Sequence, residues 1–179
     1  MTDIDSLFDS LEALQADKKL PPVAQWQPER VGHIDIRIAR DGAWYHEGAP
    51  FKRLALVKLF ATVLRRDPDG FCLVTPAEKL LIEVEDAPFL AIDLDVRGEG
   101  ARAELLFSTS LEDYVVADAA HPIRVEQQDG EPRPYILVRD GLEALINRPV
   151  FYRLVDQAIH ENNQLVVYSR GNRFPLGDL

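Results

Sequence analysis

The sequence predicts an α+β protein of two small lobes, built mostly from antiparallel sheet, and three observations predict it. Ile34, Ile36 and Ile38 alternate with Asp35 and Arg37 and run into an Asp41-Gly42 turn, the pattern of a half-buried strand entering a hairpin. The frame RDGAWYHEGAP at 40–50 returns as RDGLEALINRP at 139–149, ninety-nine residues later. Between them lie four short apolar runs, FCLVT, KLLIEV, FLAIDLDV and RAELLFST, parted by TP, EDAP and RGEG, a spacing that predicts an antiparallel meander.

Taken in order, the chain opens with TDIDSLFDSLEALQ, where Ile4, Leu7, Phe8, Leu11 and Leu14 fall at helical spacing behind acids in the first turn. KKLPPVAQWQPE follows; its prolines favour an extended arm, with Trp26 pinning the arm to the body. Residues 1–28 are thus read as helix and arm, 29–84 as the first α+β domain and 85–179 as the second. After the first hairpin, Pro50 stands where a first helical residue is best replaced by proline, and FKRLALVKLFATVLRR is expected to be one helix ended by Asp67-Pro68-Asp69-Gly70.

The offset of ninety-nine extends beyond the turn. Ile36 falls on Tyr135, Ile38 on Leu137, Pro50 on Pro149, and Phe51, Ala55, Leu56 and Phe60 fall on Val150, Leu154, Val155 and Ile159. FCLVT corresponds in type to LVVYS. A unit of strand, Asp-Gly turn, strand, proline-started helix and strand is used twice, and each copy has one apolar helix face and one apolar sheet face to cover.

Composition excludes several classes. A net charge of minus 10 argues against nucleic acid as a partner, since phosphate backbones are held by clustered Lys and Arg. No stretch of eighteen apolar residues and no signal-peptide pattern occurs, so the expectation is a cytoplasmic protein without a membrane span. The charge is uneven: residues 1–29 hold six acids and two bases, 30–79 six and nine, and 80–179 eighteen and nine. The basic stretch serves either a small anion or internal pairing with the acids.

Cys72, the single cysteine, sits in an apolar run and is expected to be buried. The histidines, His33, His46, His121 and His160, lack metal-site spacing, so neither a metal nor another cofactor is expected. There is no Gly-x-Ser-x-Gly elbow. Glu83 with Glu85 and Asp93 with Asp95 share strand faces and read as solvated carboxylates, or else as an acid–base or cation-binding cluster. No catalytic residue is assigned.

Helix N-termini carry unpaired N–H groups and partial positive charge. Pro50 is followed by Lys52 and Arg53, and Pro149 is preceded by Asn147 and Arg148. These four, joined by Arg37 and by Thr75, Glu78 and Lys79 of the TPAEK segment, form the candidate anion site. If the two units face each other, both helix starts approach one cleft.

GHIDIRIARDGAWYHEGAP, LVTPAEKLLIEVEDAPF, HPIRVE and PYILVRDGLEALINRPVFYRLV together resemble the bacterial domain-of-unknown-function 1285 family over nearly the whole chain. The resemblance implies a two-domain α+β protein with a repeated unit, a C-terminal half loosely like a pleckstrin-homology fold, a ligand pocket between the domains, and a signalling role with a nucleotide-like ligand. It implies no enzyme activity. The family pattern places an acid after the glycine that opens the first strand, where this chain has His33. The rival reading is a protein-interaction module using the arm, Trp26 and exposed sheet edges.

Overall fold

The computed structural model describes residues 20–179, and the helix expected around Ile4 to Leu14 lies outside the described residues. The chain forms a mixed α+β protein of two compact units, Met1–Asp86 and Ala87–Leu179.

In the first unit, strands β1 (Arg30–Ile38), β2 (Trp44–His46) and β3 (Ala49–Pro50) lead into helix α1 (Leu54–Ala61). Strands β4 (Leu64–Asp67), β5 (Gly70–Val74) and β6 (Glu78–Val84) follow. They make one six-stranded sheet in the order β3-β2-β1-β6-β5-β4, so two antiparallel ribbons are joined through a parallel β1–β6 pair. The alternation of β1 is realised: Ile34, Ile36 and Ile38 are buried, on the face shared with Trp44. Phe51 packs edge-on to both Trp44 and Phe60, which places α1 over that same face.

Helix α1 is half as long as FKRLALVKLFATVLRR predicts. At its start, Pro50 pairs with Tyr45 as part of the edge strand β3, and Phe51 N–H donates to Trp44 O at 2.9 Å. A proline is tolerated at an edge because no ladder bond is asked of it, so Pro50 does not begin the helix. At its end, the Thr62 hydroxyl donates to Leu59 O at 2.6 Å, and the β-branched Val63 already accepts from Val74 N–H at 3.0 Å. Backbone groups that the sheet can pair leave the helix early. Asp67-Pro68-Asp69-Gly70 therefore closes the β4–β5 hairpin, with Asp67 opposite Gly70, and does not cap a helix.

In the second unit, β7 (Phe89–Arg97), β8 (Glu104–Thr109), β9 (Tyr114–Val116), β10 (Ile123–Gln128), β11 (Glu131–Arg139) and β12 (Leu142–Ile146) form a sheet ordered β10-β11-β12-β7-β8-β9. Helix α2 (Arg148–Asp156) leads to the antiparallel strands β13 (Ile159–Glu161), β14 (Gln164–Ser169) and β15 (Asn172–Asp178). One edge of β8 is shared. Leu106 pairs with Val116 of β9, while Leu105 N–H and Ala103 O are taken by Ser169 Oγ and Arg170 N–H at the end of β14. This splice joins the three-stranded sheet to the edge of the six-stranded one.

The meander expected across residues 71–109 is two separate hairpins, β5–β6 in the first unit and β7–β8 in the second. EDAP is the passage between units, not a turn within one sheet. The duplicated order is present: strand, hairpin, strand, helix and three antiparallel strands occur in each unit, and FCLVT and LVVYS each contribute the middle strand of their three.

The two Asp-Gly turns, however, are different objects. Asp140 and Gly141 both have positive φ, 44° and 78°, and close a two-residue loop with Arg139 opposite Leu142. In the first turn only Gly42 has positive φ, 87°. Ala39 and Ala43 bracket a three-residue loop, and Asp41 uses its carboxylate to accept Ala43 N–H at 3.0 Å. One extra residue turns a type I′ loop into a type I turn with a glycine bulge, so Asp41, unlike Asp140, has no positive φ.

Candidate functional site

Six of the eight expected anion-site residues lie in the first unit, and most are committed to internal partners. Arg37, on β1, donates to Glu85 Oε1 at 2.7 Å and lies 4.3 Å from the Tyr45 ring centroid. The Glu85 carboxyl is held below its ordinary range first by the Arg40 backbone N–H and then by Arg37. Thr75 is buried, and its hydroxyl oxygen accepts Ala77 N–H at 3.3 Å and Glu78 N–H at 3.2 Å, which makes it a turn former. Glu78 is buried with the Arg30 guanidinium 3.7 Å away. Lys79 places its ammonium 2.8 Å from both Asp67 and Asp69.

The two helix starts do not match. Asn147 caps α2 by accepting Val150 N–H at 3.0 Å, with Pro149 in the first turn. Arg148, beside it, makes an exposed contact of 3.4 Å with Glu131. Helix α1 has Arg53 at its cap position, extended and without a side-chain hydrogen bond to the first turn. Lys52 and Arg53 are exposed and make no ion pair with another described residue. Of the expected set, these two alone border an uncapped helix end. Thr75, Glu78 and Lys79 are brought together by one turn and one strand, but facing one another's backbone and the acids of the β4–β5 hairpin.

That hairpin holds a cluster the sequence reading missed, because it assigned 65 and 66 to a helix. Arg65 donates from Nε and Nη2 to the two oxygens of Asp67 at 2.8 and 2.9 Å, and from Nη1 to Val23 O and Trp26 O at 2.7 Å each. Asp67 also receives Lys79. The Asp67 carboxyl is pushed below its ordinary range chiefly by the Arg65 hydrogen bond. The readable signal was the i, i+2 spacing of Arg65 and Asp67, which places both on one strand face.

Cys72 is fully buried, as expected, and burial raises its thiol to about 11. The four carboxylates weighed as a cluster do not share a sheet: Glu83 and Glu85 belong to the first unit, Asp93 and Asp95 to the second. Asp93 is occupied by Arg153 at 2.6 Å, the main reason its carboxyl lies low. Among the described residues no group of three or more His, Cys, Asp and Glu is placed to hold a metal, and no helix is long and apolar enough to cross a membrane.

Residues 21–87 match the N-terminal domain, and residues 88–176 the C-terminal domain, of the domain-of-unknown-function family DUF1285. A crystal structure of a DUF1285 family protein from Silicibacter pomeroyi DSS-3 is 46% identical, with a TM-score of 0.87 over 94% of this chain and 95% of that one. A second, from Shewanella baltica OS155, is 28% identical with a TM-score of 0.54, over 68% of this chain and 91% of its own. No curated protein matches the chain.

Proposed function

The chain belongs to the DUF1285 family, and on that premise we propose that it is a non-catalytic regulatory protein that binds a small anionic ligand of nucleotide type. The start of α1 supports this reading. Its first-turn N–H groups receive no side-chain cap and are flanked by the exposed cations Lys52 and Arg53, an arrangement that attracts phosphate or carboxylate oxygen. Arg37, Thr75, Glu78 and Lys79 already have their polar atoms paired within the first unit.

Cytoplasmic signal transduction, and a loosely pleckstrin-homology-like fold for residues 85–179, are parts of the same proposal. The ligand would act by favouring one conformation over another, which requires unequal affinity for the two. The test is calorimetric titration with a nucleoside diphosphate and with inorganic phosphate. We expect the double variant Lys52→Ala/Arg53→Ala to lose about tenfold or more in affinity, as loss of charge-assisted bonds implies. Equal binding by wild type and the double variant, or no binding by wild type, refutes the proposal.

The alternative, a protein-interaction module, draws on Tyr114, 70% exposed on the terminal strand β9. An added strand from a partner would seat there. Tyr114→Arg should then weaken association with that partner while leaving the anion titration unchanged.

A further inference from the structure

We propose that residues 20–28 form a strap that opens as a local unit, and that Arg65 is the clasp that holds it shut over Cys72. The strap contains Pro21, Pro22 and Pro28, which have no N–H to give, and the short 3-10 turn Val23–Gln25. Its backbone bonds from Val23, Gln25 and Trp26 N–H are internal, to Pro21 O, Pro22 O and Val23 O. It adds no strand to the sheet. Among the described residues, what hydrogen-bonds it from the body is the Arg65 guanidinium, which donates from one nitrogen to both Val23 O and Trp26 O.

The clasp is braced from behind. Asp67 takes the two remaining guanidinium edges, and Lys79 holds Asp67. The arrangement is directional: Arg65 is fixed against the sheet by a bidentate carboxylate, and among the described residues the side chain that hydrogen-bonds the strap is Arg65.

Cys72 lies beside the clasp. Arg65 stands opposite Cys72 in the β4–β5 ladder, so the two side chains share a face, and Val74 stands opposite Lys79 on that same face. The face is the one turned away from α1, because Leu64, Leu73 and Leu80 alternate with these residues on the helix side. Among the described residues no helix covers Cys72 there, yet it is fully buried, with Sγ 3.5 Å from Arg65 O and 3.9 Å from Asp67 Oδ2. A segment that, among the described residues, is hydrogen-bonded to the body through one side chain and lacks ladder bonds belongs to the low-stability end of a fold and opens without global unfolding.

Because the chain has one cysteine, the strap can be read by labelling the full-length protein with a chromogenic aromatic disulfide at excess reagent. The thiolate displaces an aromatic thiolate, and the released absorbance reports each opening. In wild type the labelling rate should change little across low urea concentrations, because strap opening exposes little surface, and should steepen only near the unfolding transition. Arg65→Gln should label about tenfold faster or more in the absence of urea, since two charge-assisted bonds are lost.

A wild-type rate that follows the slope of global unfolding from the lowest urea concentration would overturn the strap. So would an Arg65→Gln rate equal to that of wild type. Should Arg65→Gln fail to fold, the wild-type urea dependence alone decides.

Discussion

The hydroxyl oxygen of Ser169 accepts the Leu105 N–H at 2.9 Å across 64 positions of chain, and both residues are fully buried. With the neighbouring bond from Arg170 N–H to Ala103 O at 3.0 Å, it splices the end of β14 onto the edge of β8. Ser169→Ala removes the acceptor while the donor stays buried. The expected loss is about 1–3 kcal/mol, measured as a lower urea midpoint with an unchanged slope.

The unequal helix caps yield opposite expectations. Asn147→Ala strips the bond to Val150 N–H and should destabilise by about 1 kcal/mol. Arg53→Asp supplies a cap and a negative charge where none exists and should stabilise by about 0.5–1 kcal/mol. The same substitution should abolish anion binding, so stability and affinity move in opposite directions.

Two glycines separate dihedral strain from collision. Gly141, φ 78°, has open space where a Cβ would stand, so Gly141→Ala should cost about 1–2 kcal/mol from the left-handed backbone alone. At Gly98, φ 76°, a Cβ would lie 2.6 Å from Arg102 O, a backbone atom. Gly98→Ala should therefore lower the thermal midpoint further than Gly141→Ala does.

Asp67 sets an acid limb on stability. Its folded carboxyl lies below the ordinary 3.8, first because Arg65 hydrogen-bonds it and next because Lys79 does, against an opposing effect of burial. A group so depressed contributes stability fully above its unfolded value. That contribution is lost as pH falls from about 4 through the folded value. Unfolding measured from neutral pH down to about 2 should show Asp67→Asn weaker at neutral pH and flatter on the acid side than wild type.

Legibility followed locality. The β1 alternation, the burial of Cys72 in an apolar run, the hairpin closed by Asp140-Gly141 and the start of α2 at Asn147–Pro149 each depend on neighbours a few residues away, and the sequence displays them. Pro50 shows where local reading fails: the same residue suits a helix start and an edge strand, and pairing with Tyr45 selects the second. The internal partners of the expected anion-site residues were illegible for a related reason. Arg37 and Lys79 look free in sequence because Glu85, Asp67 and Asp69, which engage them, are brought near by pairing between strands.

Composition, the two-residue alternation and the proline and glycine punctuation were enough to establish an α+β chain with a twice-used strand, hairpin, strand and helix order. Where the strands after each helix go was settled in three dimensions. Those of the first copy return to their own sheet through the parallel β1–β6 pair, whereas those of the second form a separate sheet spliced onto β8. Turn chemistry and periodicity act within a few residues, but pairing distant strands depends on which apolar faces remain uncovered once the chain has closed its loops.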